Sequence, residues 1–320
     1  MIFVGIDVSK ETLDCHRQDR KNSKLHVSNS PAGFKRITKW IQPHADDVHF
    51  CMEATGKLWE PLAEFLHQLG YRVSVVNPAL IHAFGKSQFR RSKTDAIDAE
   101  IIADFCSKME PPTWTPMDPD TRSLRDICRE IAALKKNKTQ ITNRMKSGRL
   151  DERASSSQKR QLEFITDEIQ VLEKLAKELV SENPTLKSNA NLLQTIKGVG
   201  WRTAFTFLSE LSMVDSFKSL RQVEAFCGLN PTIRESGSSV RGRPKISKMG
   251  NSAIRNALYM AALTATRFNL PVAEFASRLA AKGKKGKVIL CAASRKLLRI
   301  MVAVYWSKQP FNPSFKSSGA

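Results

Sequence analysis

Four of the eleven residues from Met109 to Pro119 are proline: Pro111, Pro112, Pro116 and Pro119. Proline fixes φ and offers no backbone N–H, so neither a helix nor a central strand passes through such a stretch. Residues 109–119 are expected to be a linker, and the 320-residue chain must form separate bodies on its two sides. The patterning differs across it, with short apolar runs before and long helical periodicities after.

Residues 1–108 read as one domain. Ile2–Val8 has the composition of a buried strand, and Thr12–Gln18 and Lys24–Ser28 return as antiparallel neighbours through polar turns. Pro31–Ile41 is a short amphipathic helix, Val48–Met52 a second buried strand, Lys57–Leu69 a helix closed by Gly70, and Tyr71–Val76 a further strand. Three strands followed by alternating helix and strand fit an α/β domain of the ribonuclease-H-like kind.

That layout gives meaning to four acids. Asp7 and Glu53 fall at the ends of two strands expected to be neighbours. Asp95 and Asp98, three residues apart at the start of a helix with Thr94 as a candidate N-cap, share one helix face. Each acid alone has an ordinary use in capping a turn or helix. Converging, they form an oxygen-only site suited to Mg²⁺, with Mn²⁺ as a substitute, and two such ions about 3.5–4 Å apart hold a phosphodiester in line for displacement.

After the linker, Leu124, Ile127, Ile131, Leu134, Ile141 and Met145 recur at heptad-like spacing. Leu162, Ile165, Ile169, Leu172 and Leu179 do so again after a polar break at Arg149–Gln158. Residues 120–182 are therefore expected to be two antiparallel coiled-coil arms. Residues 183–320 carry 22 basic and 5 acidic side chains, a charge of +17 out of +20 for the whole chain. A field of that sign attracts phosphate polymers.

Candidate contacts lie within this basic third. Lys197-Gly198-Val199-Gly200-Trp201-Arg202, between two helical patterns, fits a helix-hairpin-helix whose Gly198 and Gly200 let backbone N–H groups meet a phosphate; a simple packing corner fits as well. The loop Thr232–Lys245 is small, flexible and basic, with Arg234, Arg241, Arg243 and Lys245 beside Ser236, Ser238 and Ser239. Lys284, Lys285 and Lys287 form a third cluster. None matches a nucleotide-hydrolysing phosphate loop.

Several classes are excluded. The six cysteines stand singly with no C-x-x-C pair, against a zinc ribbon or a disulfide framework, and read as reduced thiols in a cytoplasm. No signal peptide is expected, because Asp7 interrupts the first apolar run, and Arg295, Lys296 and Arg299 break the apolar segment Val288–Trp306, so no membrane partner is expected.

Gly5-Ile6-Asp7-Val8-Ser9-Lys10, Glu53-Ala54-Thr55-Gly56, Asn77-Pro78, Lys93-Thr94-Asp95-Ala96-Ile97-Asp98-Ala99, Gly198-Val199-Gly200, Gly228-Leu229-Asn230-Pro231, Glu235-Ser236-Gly237 and Lys248-Met249-Gly250-Asn251 occur in an order that resembles the DEDD transposases of bacterial insertion sequences. That group includes the Piv DNA invertase and the bridge-RNA-guided recombinases. The resemblance implies a RuvC-like domain, a coiled-coil insertion and a C-terminal, mainly helical transposase domain. It implies Mg²⁺ on Asp7, Glu53, Asp95 and Asp98, and a covalent DNA link through Ser236. It also implies a tetramer in which one protomer's serine completes another's acid site, donor and target DNA as partners, and a structured guide RNA encoded by the element. Lys197 departs from the family pattern, which often has proline there.

Competing classes make different demands. A RuvC-type junction nuclease needs the acids and a water nucleophile but not Ser236, and a non-catalytic nucleic-acid-binding protein explains the charge but not the acids. An actin-like ATPase needs a second phosphate loop, which is absent, and a tyrosine recombinase needs histidine in the basic third, where there is none because all six histidines lie in residues 1–82.

Overall fold

The computed structural model describes residues 1–21, 23–42, 47–88, 95–148, 151–232, 235–236, 240–241 and 245–314, with backbone alone at 95–96, 235–236 and 240–241. Strand β1 (Ile2–Val8) buries Val4, Ile6 and Val8 on one face, and its pleat turns Phe3, Gly5 and Asp7 to the other. Antiparallel β2 (Thr12–Arg17) and β3 (Lys24–Ser28) lie on one side of it, and parallel β4 (Val48–Glu53) and β5 (Arg72–Val76) on the other. The sheet order is β3-β2-β1-β4-β5.

Helices cover both faces. Helices α1 (Pro31–Ile41) and α2 (Glu60–Gln68) place Phe34, Ile37, Ile41, Leu62 and Leu66 against the Val4/Ile6 face. Helices α3 (Pro78–Ser87) and α4 (Asp95–Met109) pack Ile81, Ile102 and Phe105 on the opposite face, beside Cys51 and Val76. Helix α2 starts three residues later than Lys57, with Pro61 in its first turn. Helix α3 was not expected; the Asn77-Pro78 pair starts it, Asn77 Oδ1 accepting from the Ala79 N–H at 2.9 Å.

The proline-rich stretch is partly tied down. Trp114 donates its N–H to the Val73 carbonyl (2.7 Å), Ser74 Oγ donates to the Pro112 carbonyl (2.9 Å), and the Trp114 ring stands edge-on to Trp59. The chain divides into two compact units, Met1–Pro116 and Met117–Ala320.

In the second unit, α5 (Pro119–Lys146) and α6 (Glu152–Glu182) run antiparallel, with Lys138 to Thr166 and Lys135 to Glu173 contacts of 2.8 Å between them. The polar stretch expected as a break is helical from Glu152 onward, because Asp151 caps it and its Ala, Ser, Gln and Arg residues need no buried face. The inner ends of these helices do not stand apart from the basic third. Leu124, Ala176 and Val180 share one apolar core with Leu193, Phe207, Leu258 and Leu297. That core is completed by α7 (Pro184–Gln194), α8 (Trp201–Glu210), α9 (Leu220–Phe226), α10 (Ser252–Phe268), α11 (Leu270–Ala281) and α12 (Gly286–Ser307). Among the described residues no helix is long and apolar enough to cross a membrane.

Candidate functional site

In the first unit the acids are positioned by register. Ile6 pairs with Met52 in the parallel β1/β4 ladder, so the next residues, Asp7 and Glu53, stand level at the carboxyl ends of adjacent strands. Both point to the face covered by α4, since Val4, Ile6, Phe50 and Met52 fill the other. Loops and helix starts at that end of an open α/β sheet are where ligands bind.

Gly5 brings α4 down onto this face. A β-carbon there would lie 2.1 Å from the Ala99 carbonyl oxygen and 2.3 Å from the Ala103 nitrogen, so only glycine admits the helix so close. The helix runs opposite to β1. Asp104, further along α4, accepts from Gln18 Nε2 at 2.6 Å, and the Gln18 N–H reaches back to the Phe3 carbonyl. The amino end of α4 therefore overlies the Asp7 end of the strand. Asp98, half-buried, sits there, and Asp95 is the first residue of α4, its side chain outside the described set.

Glu53 Oε1 accepts from Thr55 Oγ1 at 2.9 Å within the Glu53–Gly56 turn. Among the described residues no group of three or more His, Cys, Asp or Glu side chains is arranged as a metal site. The donors available at this end of the sheet are carboxylate oxygens, hard ligands that fit Mg²⁺ or Mn²⁺ and not a soft metal.

A fifth acid was missed. Asp14 is the antiparallel partner of Asp7 across β1/β2, and its Oδ1 lies 2.9 Å from Nδ1 of His26 on β3. Its signal was the alternation in β2: Leu13, Cys15 and Arg17 are buried, which leaves Asp14 on the same face as Asp7.

In the second unit, the expected loop around Ser236 is a hairpin. Strand β6 (Pro231–Thr232) pairs with β9 (Lys245–Ile246), and beyond them β7 (Glu235–Ser236) pairs with β8 (Val240–Arg241), Ser236 opposite Val240. Arg234, Arg243, Ser238 and Ser239 lie outside the described residues. The foot of the hairpin is clamped by residues that the sequence did not single out. Arg255 Nη1 donates to the carbonyls of Cys227 (3.0 Å) and Gly250 (2.9 Å), and Asn251 caps α10 while its Nδ2 donates to buried Glu210 at 2.5 Å. Glu210 also takes a two-point ion pair from Arg129 of α5.

Two of the five acids of the basic third are turned inward, while Asp215 and Glu274 are exposed. Besides Glu210, Glu224 is buried between Arg295 (2.7 Å) and Arg299 of α12. Burial works to raise its pKa, but the hydrogen bonds from the two arginines outweigh that and hold the carboxyl below its ordinary value. Lys197, Lys245, Lys284, Lys285 and Lys287 are exposed, the last three where the α11–α12 turn enters α12.

The Gly-x-Gly corner is partly a packing device. Gly198, at φ +97°, lies so close to α10 that a β-carbon would come within 2.8 Å of Ala265, whereas Gly200 has open space around it and begins α8. Arg202 is engaged by Glu173 of α6 through two bonds of 2.7 and 2.8 Å, and stacks on Trp201.

An RNase-H-like sheet with acids at its carboxyl end, joined to a basic helical unit, has the makings of a DNA-processing enzyme. Comparison with known proteins agrees. Residues 4–152 match a DEDD-type transposase profile of the IS110 group, and residues 190–277 match the profile described as "Transposase IS116/IS110/IS902 family". The chain is 32% identical to the pilin gene-inverting protein of Moraxella bovis over 315 residues, 97% of each protein. It is 28% identical to a putative transposase of Sinorhizobium fredii (94% of this chain, 88% of the relative) and 24% identical to the transposase of an insertion sequence element of Yersinia enterocolitica (93% and 95%). The chain belongs to the IS110-type transposase family and is a DNA recombinase.

Proposed function

We propose that the protein cuts and rejoins donor and target DNA with Ser236 as nucleophile and with Asp7, Glu53, Asp95 and Asp98 holding Mg²⁺. The observation that carries this reading is the level placement of Asp7 and Glu53 on the sheet face over which the Asp98 end of α4 lies. When bound, the cation supplies charge neutralisation at the phosphodiester. Ser236 Oγ attacks phosphorus, giving up its proton to a carboxylate of the acid cluster. The bond from phosphorus to the 3′-oxygen breaks, that oxygen leaves as a hydroxyl by taking up one proton, which balances the one the serine gave to the carboxylate, and the 5′ end remains esterified to serine. Rejoining reverses the step on another 3′-hydroxyl.

The strand pairing suits this use because Ser236 lies in the β7/β8 pair, and the β6/β9 pair before it stands on a foot held by Arg255. The family likeness supports a tetramer, with serine and acids from different protomers, and a structured guide RNA that chooses the DNA sites. It likewise supports site-specific inversion as one outcome, since the Moraxella bovis relative is named for inverting a pilin gene. The deciding experiment traps the protein on a nicked suicide substrate and maps the attached residue by mass spectrometry. An adduct on Ser236 is expected; cleavage by Ser236→Ala with a free 5′-phosphate would show that water attacks, as in a junction nuclease.

A further inference from the structure

Beneath the Ser236 hairpin lies a pocket of about 310 Å³ to which neither the family likeness nor the proposed chemistry gives a role. That volume is at the low end for small-molecule sites and suits one planar base with its sugar. Its apolar side is Leu229 and Ile246 at the hairpin foot; its other walls are α10 and α12. On α10, Arg255, Asn256 and Tyr259 fall on one face, because i, i+3 and i+4 positions are neighbours.

The groups facing this space are open. Tyr259 is half-buried, yet its hydroxyl has no hydrogen-bond partner among the described residues, and neither do the Asn256 amide and the Lys248 ammonium. Arg255 is fixed by the carbonyls of Cys227 and Gly250 with no carboxylate among its described partners, so its charge is held in place but not neutralised. A comparable pocket of about 290 Å³ beside α7 differs in this respect: Lys308 there already bonds Asn189 at 3.1 Å and sits on the Tyr305 ring.

We propose that the pocket receives one unstacked base of the DNA strand engaged by the Ser236 hairpin. Tyr259 supplies a ring to stack on, Asn256 an amide for a base edge, and Lys248 and Arg255 cations for the flanking phosphates. Ile246 pairs with Pro231, five residues before Ser236, which at about 3.3 Å per residue spans at most about 17 Å. With about 3.4 Å per nucleotide along a strand, the held base lies within about five nucleotides of the phosphate meeting the serine. In that placement alone the inference rests on the nucleophile proposed above.

Cys291 lines the pocket and supplies the test. Full-length Ser236→Ala protein, which leaves the strand uncut, is mixed with DNA of the element's own ends in which one base at a time bears an alkyl tether as a mixed disulfide. If the tethered base enters the pocket, the Cys291 thiolate attacks the disulfide and the small thiol leaves. Cross-linking is expected at one or two adjacent positions only, to be absent from Cys291→Ser, to fall about tenfold in Tyr259→Ala, about 1.4 kcal/mol, and to stay within about twofold in Tyr259→Phe. Asn256→Ala, at an exposed position, should weaken it without affecting folding. No cross-link at any position, or equal cross-linking at all, overturns the proposal. Cross-linking confined to similarly tethered RNA overturns the DNA assignment. The serine adduct is scored on the parent protein, so failure of the nucleophile leaves this pattern standing.

Discussion

Adding one methyl group at Gly5 should disable the acid site without touching an acid. The new β-carbon would stand 2.1 Å from the Ala99 carbonyl oxygen and 2.3 Å from the Ala103 nitrogen, both backbone atoms that no rotamer change can move. Ordinary contact needs about 3.4 Å, so α4 must retreat by about 1.3 Å and carry Asp95 and Asp98 with it. Overpacking of this kind costs about 1–3 kcal/mol of stability. A shift of about 1 Å in a reacting group can lower a rate about 10²-fold. Gly5→Ala is therefore expected to remain folded by circular dichroism, melt several degrees lower, bind DNA within about threefold of the parent, and cleave about 10²-fold more slowly. The control is Gly85→Ala on α3, where the nearest atom is the flexible end of Ile101 at 3.3 Å; helix propensity makes it neutral or stabilising by up to about 1 kcal/mol. Wild-type cleavage and melting in Gly5→Ala would refute the close seating of α4, and loss no greater than in Gly85→Ala would refute its role in placing the acids.

Asp7→Ala, Glu53→Ala and Asp98→Ala should each abolish strand cleavage and leave DNA affinity within about threefold, because the basic unit supplies most of the binding; retained cleavage in Asp98→Ala would remove that residue from the site. Replacing Lys284, Lys285 and Lys287 together should flatten the slope of log affinity against log salt by up to about 0.9 for each phosphate left without its lysine, read by filter binding from 50 to 200 mM salt; an unchanged slope places that turn away from DNA. Glu173 is 15% exposed, and although burial raises its pKa, the bonds from Arg202 and Lys135 lower it from 4.5 to about 2. Its folded-state pKa is depressed, so its stabilisation is complete above about 4.5 and lost as pH falls toward about 2; the difference in thermal midpoint between parent and Glu173→Gln should shrink across that window, and a constant difference would mean that the pairs with Arg202 and Lys135 are not what stabilises.

Most of the first unit is legible because its elements are encoded locally. Apolar runs of five to seven residues with polar turns between them specify β1, β4 and β5, and Ser30-Pro31 specifies the start of α1 by capping its first turn. Asp7 and Glu53 can be matched because they end two such runs. Helix α3 is not legible because Asn77-Pro78 resembles a turn until the following residues find a core to cover, and Ile81 is buried in a cluster made by Cys51, Val76 and α4. The hairpin reads as a loop because four paired positions among serines, glycines and arginines carry no apolar alternation; cross-strand pairing and the clamp at its foot make it a hairpin.

The sequence by itself determined the residue types on offer: acids that end two strands and begin a helix, serines in a basic loop, how the charge is divided, and the order of most strands and helices. Only the tertiary structure decided which acids share a face. Asp14 joins Asp7 through an antiparallel register set between strands, and Asp98 reaches that end of the sheet only because Gly5 lets α4 settle on β1. It also decided which charges are spent internally, since Glu210 and Glu224 look like surface acids in the chain but lie buried against Arg129, Arg295 and Arg299. Such outcomes depend on distances between residues tens of positions apart. Local patterning carries no record of those distances, because they are set when whole elements pack.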